Sequence, residues 1–136
     1  MESRALDQAE VIRMSKIIYE LKMFSSNLIK EPEFIIDGMK NILKIEGYDD
    51  EGRINKVKVE LDSVLCYKKT STRFTPKLYD SYDKIVELLD SDWLNELKAI
   101  NNEYYDFWKP KHFILFLDGI GMYEFIACEI EINEYE

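Results

Sequence analysis

The only histidine of the chain, His112, is the residue whose type best suits catalysis. It lies between Lys111 and Phe113 in a sequence of 136 residues. A nucleophilic triad or a histidine-based metal site would need this imidazole together with cysteine, serine or carboxylate groups supplied by the fold. No ligand spacing surrounds it. We therefore predict a partly exposed structural histidine, and the sequence identifies no catalytic residue, metal ligand or cofactor.

Two groups of carboxylates are candidates for binding a cation or a substrate. The run from Asp49 to Glu51 resembles a fragment of a calcium loop but lacks the regular ligand spacing and the closing glutamate, so we predict a solvated turn. The second group surrounds predicted helix ends and consists of Asp80, Asp83, Asp90 and Asp92. Asp90 and Asp92 suit helix caps. A glycosidase pair stays open, because a sequence does not give the separation of two carboxylates.

The segment from Glu103 to Trp108 combines aromatic rings with carboxylates in the order EYYDFW. Two interpretations remain open. The rings can pack onto a sheet, or they can form an exposed interface, since Tyr and Trp are enriched at binding hot spots. The candidate partner-binding residues are Asp80, Asp83, Asp90, Asp92, Glu103, Tyr104, Tyr105, Asp106 and Trp108.

The charge of the chain indicates which partners it attracts. The formal net charge is −9, which repels nucleic acid and anionic membrane surfaces. A basic protein is the complementary partner, and we predict no nucleic acid and no membrane. Cys66 and Cys128 are predicted to be buried structural thiols. No signal-peptide pattern and no bilayer-length apolar run is present, so we expect a cytoplasmic protein, either a monomer or a weak homodimer.

The elements that must position these residues follow from hydrophobic periodicity. Residues 8–24 are predicted to form a helix that starts at an Asp7–Glu10 capping box, with an edge strand as the alternative. Strands are expected at 34–38 and 39–48. From Lys56 to Leu61 apolar and charged residues alternate strictly. This alternation predicts one long, bulged strand reaching Tyr67, with a tight turn between two strands at Asp62-Ser63 as the alternative.

The second half of the chain is predicted to hold two short helices and a hairpin. The first helix begins at Thr75-Pro76 and the second is capped by Asp90 or Ser91. A loop at 101–111 leads to a C-terminal hairpin of strands 113–117 and 123–132, joined by a turn at Gly119-Ile120-Gly121. The predicted fold is a single α+β domain, with a mostly antiparallel sheet of about four to six strands and the hairpin at its centre.

Three segments give the chain a resemblance to a group of small bacterial proteins. They are KVKVELDSVLCYKKTS, LYDSYDKIVELLDSDWL and KPKHFILFLDGIGMYEFIACEIEI. Some members of that group are similar to immunity proteins encoded beside secreted polymorphic toxins. The resemblance covers roughly residues 54–132 and rests on strand and helix patterns, so no functional residue is carried over. It implies a cytoplasmic immunity protein or antitoxin that occludes the active site of its toxin.

Two functions from different classes are therefore predicted. The first is a protein-binding module of the immunity type, which the negative charge and the missing catalytic motifs favour. The alternative is a small enzyme or ligand-binding protein with a carboxylate-lined pocket on the sheet. That alternative requires several inward-facing carboxylates around one cavity.

Overall fold

Nine strands and two α-helices make up most of the part of the chain that the structure describes. The structure is a computed structural model that describes residues 15–75, 82–117 and 119–135. The strands are β1 (Ser15–Glu20), β2 (Glu33–Asp37), β3 (Lys40–Tyr48), β4 (Ile54–Asp62), β5 (Cys66–Thr70), β6 (Lys84–Leu88), β7 (Lys111–Leu117), β8 (Gly121–Ala127) and β9 (Glu129–Glu134). The helices are α1 (Asp92–Ile100) and α2 (Asn102–Trp108), and short 3-10 turns lie at Ser25–Asn27 and Thr72–Phe74.

The strands form two sheets in which all neighbouring strands are antiparallel. The first sheet has the order β1-β6-β7-β8-β5, and the second has the order β2-β3-β4-β9. The chain passes from the first sheet to the second between β1 and β2, returns to the first between β4 and β5, and crosses to the second again between β8 and β9. The last two crossings lie side by side, because the Cys128 amide donates to the Asp62 carbonyl at 3.1 Å.

The main core lies between the two sheets. Alternate residues of β3, β4, β7 and β8 point into one shared cluster, as the two-residue period of a strand requires. Its buried strand residues are Leu43, Ile45, Val57, Val59, Leu61, Ile85, Phe113, Leu115, Leu117, Tyr123, Phe125 and Ala127. The outer face of the first sheet carries a second buried cluster of Val86, Ile114, Phe116 and Met122. The molecule is a β-sandwich whose first sheet is also covered on its outer face.

The two lateral sides of the sandwich differ. On the side of β1 and β9, Glu134 accepts a hydrogen bond from the Tyr19 hydroxyl at 3.2 Å and pairs with Lys22 at 2.7 Å. On the side of β2 and β5, the Phe34 and Tyr67 rings lie 5.2 Å apart between centroids. One side is therefore joined by polar contacts, and the other is lined by aromatic rings.

The prediction of an α+β fold with an N-terminal helix is wrong. Residues 15–20 form strand β1, which pairs with β6, while residues 8–14 and the predicted capping box lie outside the described residues. Ile17, Ile18 and Tyr19 are β-branched or aromatic and favour a strand. The same apolar spacing suits a helix, and pairing with β6 decides between them.

The prediction of a first middle helix, beginning at Thr75-Pro76, is also wrong for the part that the structure describes. Lys84–Leu88 is strand β6, which fills the position between β1 and β7. Its sequence KIVEL is rich in β-formers. The second middle helix is confirmed as α1, whereas the loop expected at 101–111 contains α2.

The C-terminal hairpin is confirmed as β7 and β8, which are the third and fourth of the five strands in the first sheet. The prediction of two long strands, at 54–67 and at 123–132, is wrong. Each is interrupted where the chain leaves one sheet for the other, at Ser63, whose φ is +54°, and at Cys128. In the described ranges, nine short strands in two sheets therefore replace the single sheet of about four to six strands.

Candidate functional site

The α1–α2 unit, residues 91–109, carries most of the predicted partner-binding residues. Helix α1 begins after Ser91, whose hydroxyl oxygen accepts from the Leu94 amide at 3.1 Å. Helix α2 begins after Asn101, whose side-chain oxygen accepts from the Tyr104 amide at 3.1 Å. Both are N-caps of the type that satisfies otherwise unpaired amides of a first helical turn. Lys109, in the left-handed region with φ of +49°, ends α2.

A buried chain of polar side chains fastens the α1–α2 unit to the outer face of the first sheet. The Ser91 hydroxyl lies 2.7 Å from His112 Nδ1, and His112 Nε2 lies 3.0 Å from Glu124 Oε1. Lys68 continues the chain, with its Nζ 3.5 Å from Glu124 Oε2. The edge of the Trp93 ring meets His112 at 5.4 Å between centroids. Ser91, His112 and Glu124 are all buried.

The predicted partly exposed histidine is therefore wrong, since His112 is buried between a helix cap and a carboxylate. Glu124 in the apolar strand MYEFIA is the signal that sequence reasoning did not use. Glu124 is buried on the outer face of the first sheet. A buried carboxylate needs a partner, because a lone buried charge is costly. The nearest donors are His112 and Lys68, on the two strands that flank β8.

The Ser91–His112–Glu124 chain has the residue types of a hydrolase triad, but its geometry favours a structural role. Both imidazole nitrogens of His112 are occupied, Nδ1 by the Ser91 hydroxyl at 2.7 Å and Nε2 by Glu124 Oε1 at 3.0 Å. The Ser91 oxygen is also occupied by the Leu94 amide. A buried serine that caps a helix offers no access to a substrate. The chain holds α1 in place.

Three large apolar side chains are exposed on the α1–α2 unit. Ile100 is 79% exposed, Tyr104 64% and Phe107 76%. Tyr104 and Phe107 are three residues apart, so they lie on one face of α2. Ile100 and Phe107 were absent from the predicted partner-binding set. A three- and four-residue spacing from Ile100 through Tyr104 to Phe107 was the available signal.

The predicted aromatic residues divide between exposed and half-buried positions. Tyr104 is exposed, whereas Tyr105 and Trp108 are half-buried. The Trp108 ring meets the Phe107 ring edge-on at 5.2 Å, and the Trp108 carbonyl accepts from the Cys128 thiol at 3.1 Å. Lys98 Nζ lies 5.4 Å from the centre of the Tyr105 ring. Half of the aromatic segment thus supports the unit, and the other half faces outward.

The predicted acidic residues do not all meet on this unit. Asp90, Asp92, Glu103 and Asp106 are exposed on it or directly before it. Asp83 precedes β6, at the opposite end of that strand from Ser91, and has φ of +61°. Asp80 lies outside the described residues. The structure therefore places Glu103 and Asp106 on α2 with the aromatic segment, Asp90 and Asp92 at the start of α1, and Asp83 at the far end of β6.

The acidic run at residues 49–51 forms a turn. The Asp49 carboxylate accepts from the backbone amides of Arg53 and Glu51, both at 2.9 Å, and from the Asn55 side chain at 3.0 Å. These hydrogen bonds lower the pKa of Asp49, and the one from the Arg53 amide has the largest effect. The oxygens of Asp49 are used within the turn. Across the described ranges, no group of three His, Cys, Asp or Glu side chains has an arrangement suited to a metal ion.

A pocket of about 180 Å³ opens on the side of β2 and β5. Four aromatic rings form its walls, and charged residues stand at its rim. The lining residues are Glu31, Pro32, Phe34, Tyr67, Lys68, Lys69, Tyr123 and Phe125. Glu31 is the one carboxylate in this lining. The cavity differs in character from the carboxylate-lined pocket that the alternative function requires.

Comparison of the chain with protein-family models, with curated proteins and with solved structures finds no match. The resemblance to immunity proteins therefore stays a prediction. Within the described residues, no helix has the length and apolar character to cross a bilayer.

Proposed function

We propose that this chain is a protein-binding module of the immunity type, which neutralises a basic toxin domain by covering its active site with the α1–α2 unit. The observation that carries this proposal is the exposure of Ile100, Tyr104 and Phe107 on a unit that buried contacts hold in place. A fixed surface of large side chains loses little conformational entropy on binding. The proposed location is the cytoplasm, where such a toxin would act.

The exposed side chains supply affinity. Full burial of a side chain of this size contributes roughly 1.5–3 kcal/mol relative to exposure. Tyr104 and Phe107 are aromatic, and aromatic residues at the centre of an interface often dominate the binding energy. Their anchoring through α2 and Trp108 gives the pair a defined geometry before binding. These two residues are the proposed hot spot.

Four exposed carboxylates on the α1–α2 unit or directly before it supply partner selection. Asp90, Asp92, Glu103 and Asp106 make no ion pair with any described residue. Charges at the rim of an interface mainly increase the association rate and make it dependent on salt. A basic protein surface is their complement. The net charge of −9 acts in the same direction over longer distances.

The competing function, an enzyme or ligand-binding protein with a carboxylate-lined pocket, has less support. The pocket on the side of β2 and β5 is aromatic, and Glu31 is the carboxylate among its described lining residues. The buried imidazole of His112 is enclosed by Ser91, Trp93 and Glu124. A general base must reach a substrate proton directly or through one water.

The experiment begins with a search of the neighbouring genes for a secreted protein that carries a basic toxin domain. That domain is then used in a binding titration with this chain. Wild-type protein and the Tyr104→Ala/Phe107→Ala double variant are compared by calorimetry at low and high salt. We expect the double variant to weaken binding at least about 100-fold, the scale of a hot spot worth about 3 kcal/mol. Raising the salt should weaken wild-type binding through the association rate.

Phe74→Ala is the matched control. Phe74 is 82% exposed and lies in the Thr72–Phe74 turn that follows β5, outside the α1–α2 unit. Phe74→Ala removes an exposed phenyl ring, as Phe107→Ala does, but it should leave the affinity for the toxin domain unchanged. Equal weakening by both substitutions, or no binding of the toxin domain by the wild-type protein, would exclude the proposed interface.

A further inference from the structure

We propose that the pocket between β2 and β5 binds a small neutral aromatic molecule, of one ring or two fused rings, that carries a single N–H or O–H group. This pocket lies on the lateral side of the sandwich and is separate from the α1–α2 unit. Binding there is an additional function of the chain and does not depend on the proposed protein partner.

The position of the pocket follows from the sheet order. Both β2 and β5 are edge strands, so the core between the sheets reaches the surface along this side. Phe34 of β2 lies 5.2 Å from the Tyr67 ring of β5 and 5.9 Å from the Phe125 ring of β8. The cavity is therefore a recess of the core that opens between two sheet edges.

The size of the pocket limits the ligand. Its volume of about 180 Å³ slightly exceeds the roughly 150 Å³ of an engineered apolar cavity that accepts benzene. One six-membered ring or an indole-sized bicycle fits, and a drug-sized ligand, which needs a cavity of about 300 Å³ or more, does not. An extended peptide could insert only one side chain.

The walls of the pocket favour an aromatic ring over an aliphatic one. Aromatic rings pair edge-to-face or in offset stacks at about 4.5–7 Å between centroids, with a gain beyond burial of area. Phe34, Tyr67, Tyr123 and Phe125 present four rings to the cavity. Tyr123 and Phe125 are buried and belong to the core. The inner walls are therefore fixed, while Tyr67, at 47% exposure, forms the outer wall.

The polar groups at the rim specify a neutral ligand with one donor. Lys69 Nζ lies over the Tyr123 ring, 5.4 Å from its centre, and Glu31 is the carboxylate of the lining. Lys68 also belongs to the lining, but its Nζ pairs with Glu124 Oε2 at 3.5 Å. Among the described residues, Lys69 and Glu31 therefore remain as one cation and one anion, so an ionic ligand gains little. The carboxylate of Glu31 accepts an N–H or O–H from the ligand. Burial, and then the charge of Glu31, raise the pKa of Tyr123, so its phenol stays neutral.

The test is a titration of the full chain with indole and phenol, followed by aromatic ¹H–¹³C NMR and calorimetry. We expect a Kd of about 0.1–1 mM, which is consistent with the ligand efficiency of small ligands. The shifts should be confined to Phe34, Tyr67, Tyr123 and Phe125. Toluene, which lacks a donor, should bind several-fold more weakly than phenol, and Glu31→Gln should reduce that difference.

Tyr67→Thr is the diagnostic variant, because threonine preserves the strand propensity of an edge position. It should weaken indole binding at least tenfold. Tyr48→Thr is the control, since Tyr48 is 44% exposed at the end of β3 and lies outside the pocket lining. Thermal unfolding of both variants checks that they are folded. If Tyr67→Thr does not fold, Lys69→Met provides a second substitution at the rim of the pocket.

Three outcomes would overturn the proposal. The first is an absence of shifts at ligand concentrations of several millimolar. The second is indole binding that Tyr67→Thr does not change, which would place the ligand elsewhere. The third is binding of an aromatic peptide along β5 without binding of free indole or phenol. None of these outcomes bears on the toxin titration, so the two proposals fail separately.

Discussion

His112 shows how a single residue can suggest catalysis and serve packing. Its imidazole joins the cap of α1 to Glu124 of β8 through two hydrogen bonds. A buried polar chain of this kind is stable only when its members are satisfied. Lys68 extends it, with Nζ 4.9 Å from the centre of the Trp93 ring. These side chains fix the position of the α1–α2 unit on the sheet.

The first prediction concerns Ser91, which belongs to this hydrogen-bonded series of side chains and also caps helix α1. Ser91→Ala should lower the free energy of unfolding by about 1–2 kcal/mol, because it removes the cap of α1 and the partner of His112 Nδ1. Urea denaturation measures this change. Ser26→Ala, at an exposed position in the Ser25–Asn27 turn, is the control. Equal midpoints for Ser91→Ala and the wild-type protein would contradict the anchoring role.

At the scale of elements, the sequence supported the hairpin and α1 but not the division into two sheets. Continuous apolar residues from Phe113 to Leu117 indicate a strand covered on both faces, and that strand is β7. Ser91 and the apolar spacing after it predict α1. Both signals are local, so they can be recognised without knowing the fold.

The crossings between sheets could not be recognised locally. At Ser63 and Cys128 the chain leaves one sheet for the other, and the alternation of residues on either side remains compatible with one continuous strand. The hydrogen bond from the Cys128 amide to the Asp62 carbonyl joins residues far apart in sequence. The burial of His112 in the candidate site could not be recognised locally either. Burial of His112 depends on Glu124, and that contact is set by the pairing of β7 with β8.

The second prediction separates the two interpretations of the aromatic segment. Trp108→Ala should lower the free energy of unfolding by about 1–3 kcal/mol, since Trp108 is half-buried at the end of α2. Phe107→Ala should change it by less than about 0.5 kcal/mol, because Phe107 is mostly exposed. Thermal and urea unfolding measure both values. A large loss of stability for Phe107→Ala would mean that its ring is packed and unavailable to a partner.

At the scale of the whole molecule, charge is distributed unevenly. On the outer face of the second sheet, Glu60 pairs with Lys58 at 2.7 Å and with Lys40 at 3.3 Å, and the hydrogen bond from Lys58 is the main cause of its lowered pKa. Glu134 pairs with Lys22 on the β1 and β9 side. The carboxylates near α1 and α2 have no such partners among the described residues, so they remain available to a basic protein.

The third prediction is a loss of stability at alkaline pH. Burial is the largest cause of the raised pKa of Tyr19, Tyr123 and Tyr135. An unfolded tyrosine has a pKa of about 10. Above that pH the unfolded chain releases protons that the folded chain keeps, so the free energy of unfolding falls as pH rises towards the folded pKa values. The stabilisation is fully present below about pH 10.

Urea denaturation between pH 8 and 11, with tyrosinate absorbance followed in parallel, measures this dependence. The three phenols should ionise together with unfolding, and Tyr123→Phe should make the decline shallower. A free energy of unfolding that stays constant from pH 8 to 11 would contradict the assigned burial of these rings.

The central claim is that the exposed face of α2 binds a basic protein. It is tested most directly with a basic toxin domain whose gene is found beside this one, by measuring the affinity of that domain for four proteins. They are the wild-type chain, Phe107→Ala, the Tyr104→Ala/Phe107→Ala double variant and Phe74→Ala, each checked for unchanged thermal unfolding. We predict a stepwise loss of affinity for the first two variants, reaching about 100-fold in the double variant, with no change for Phe74→Ala. Equal affinity for all four proteins would contradict the claim.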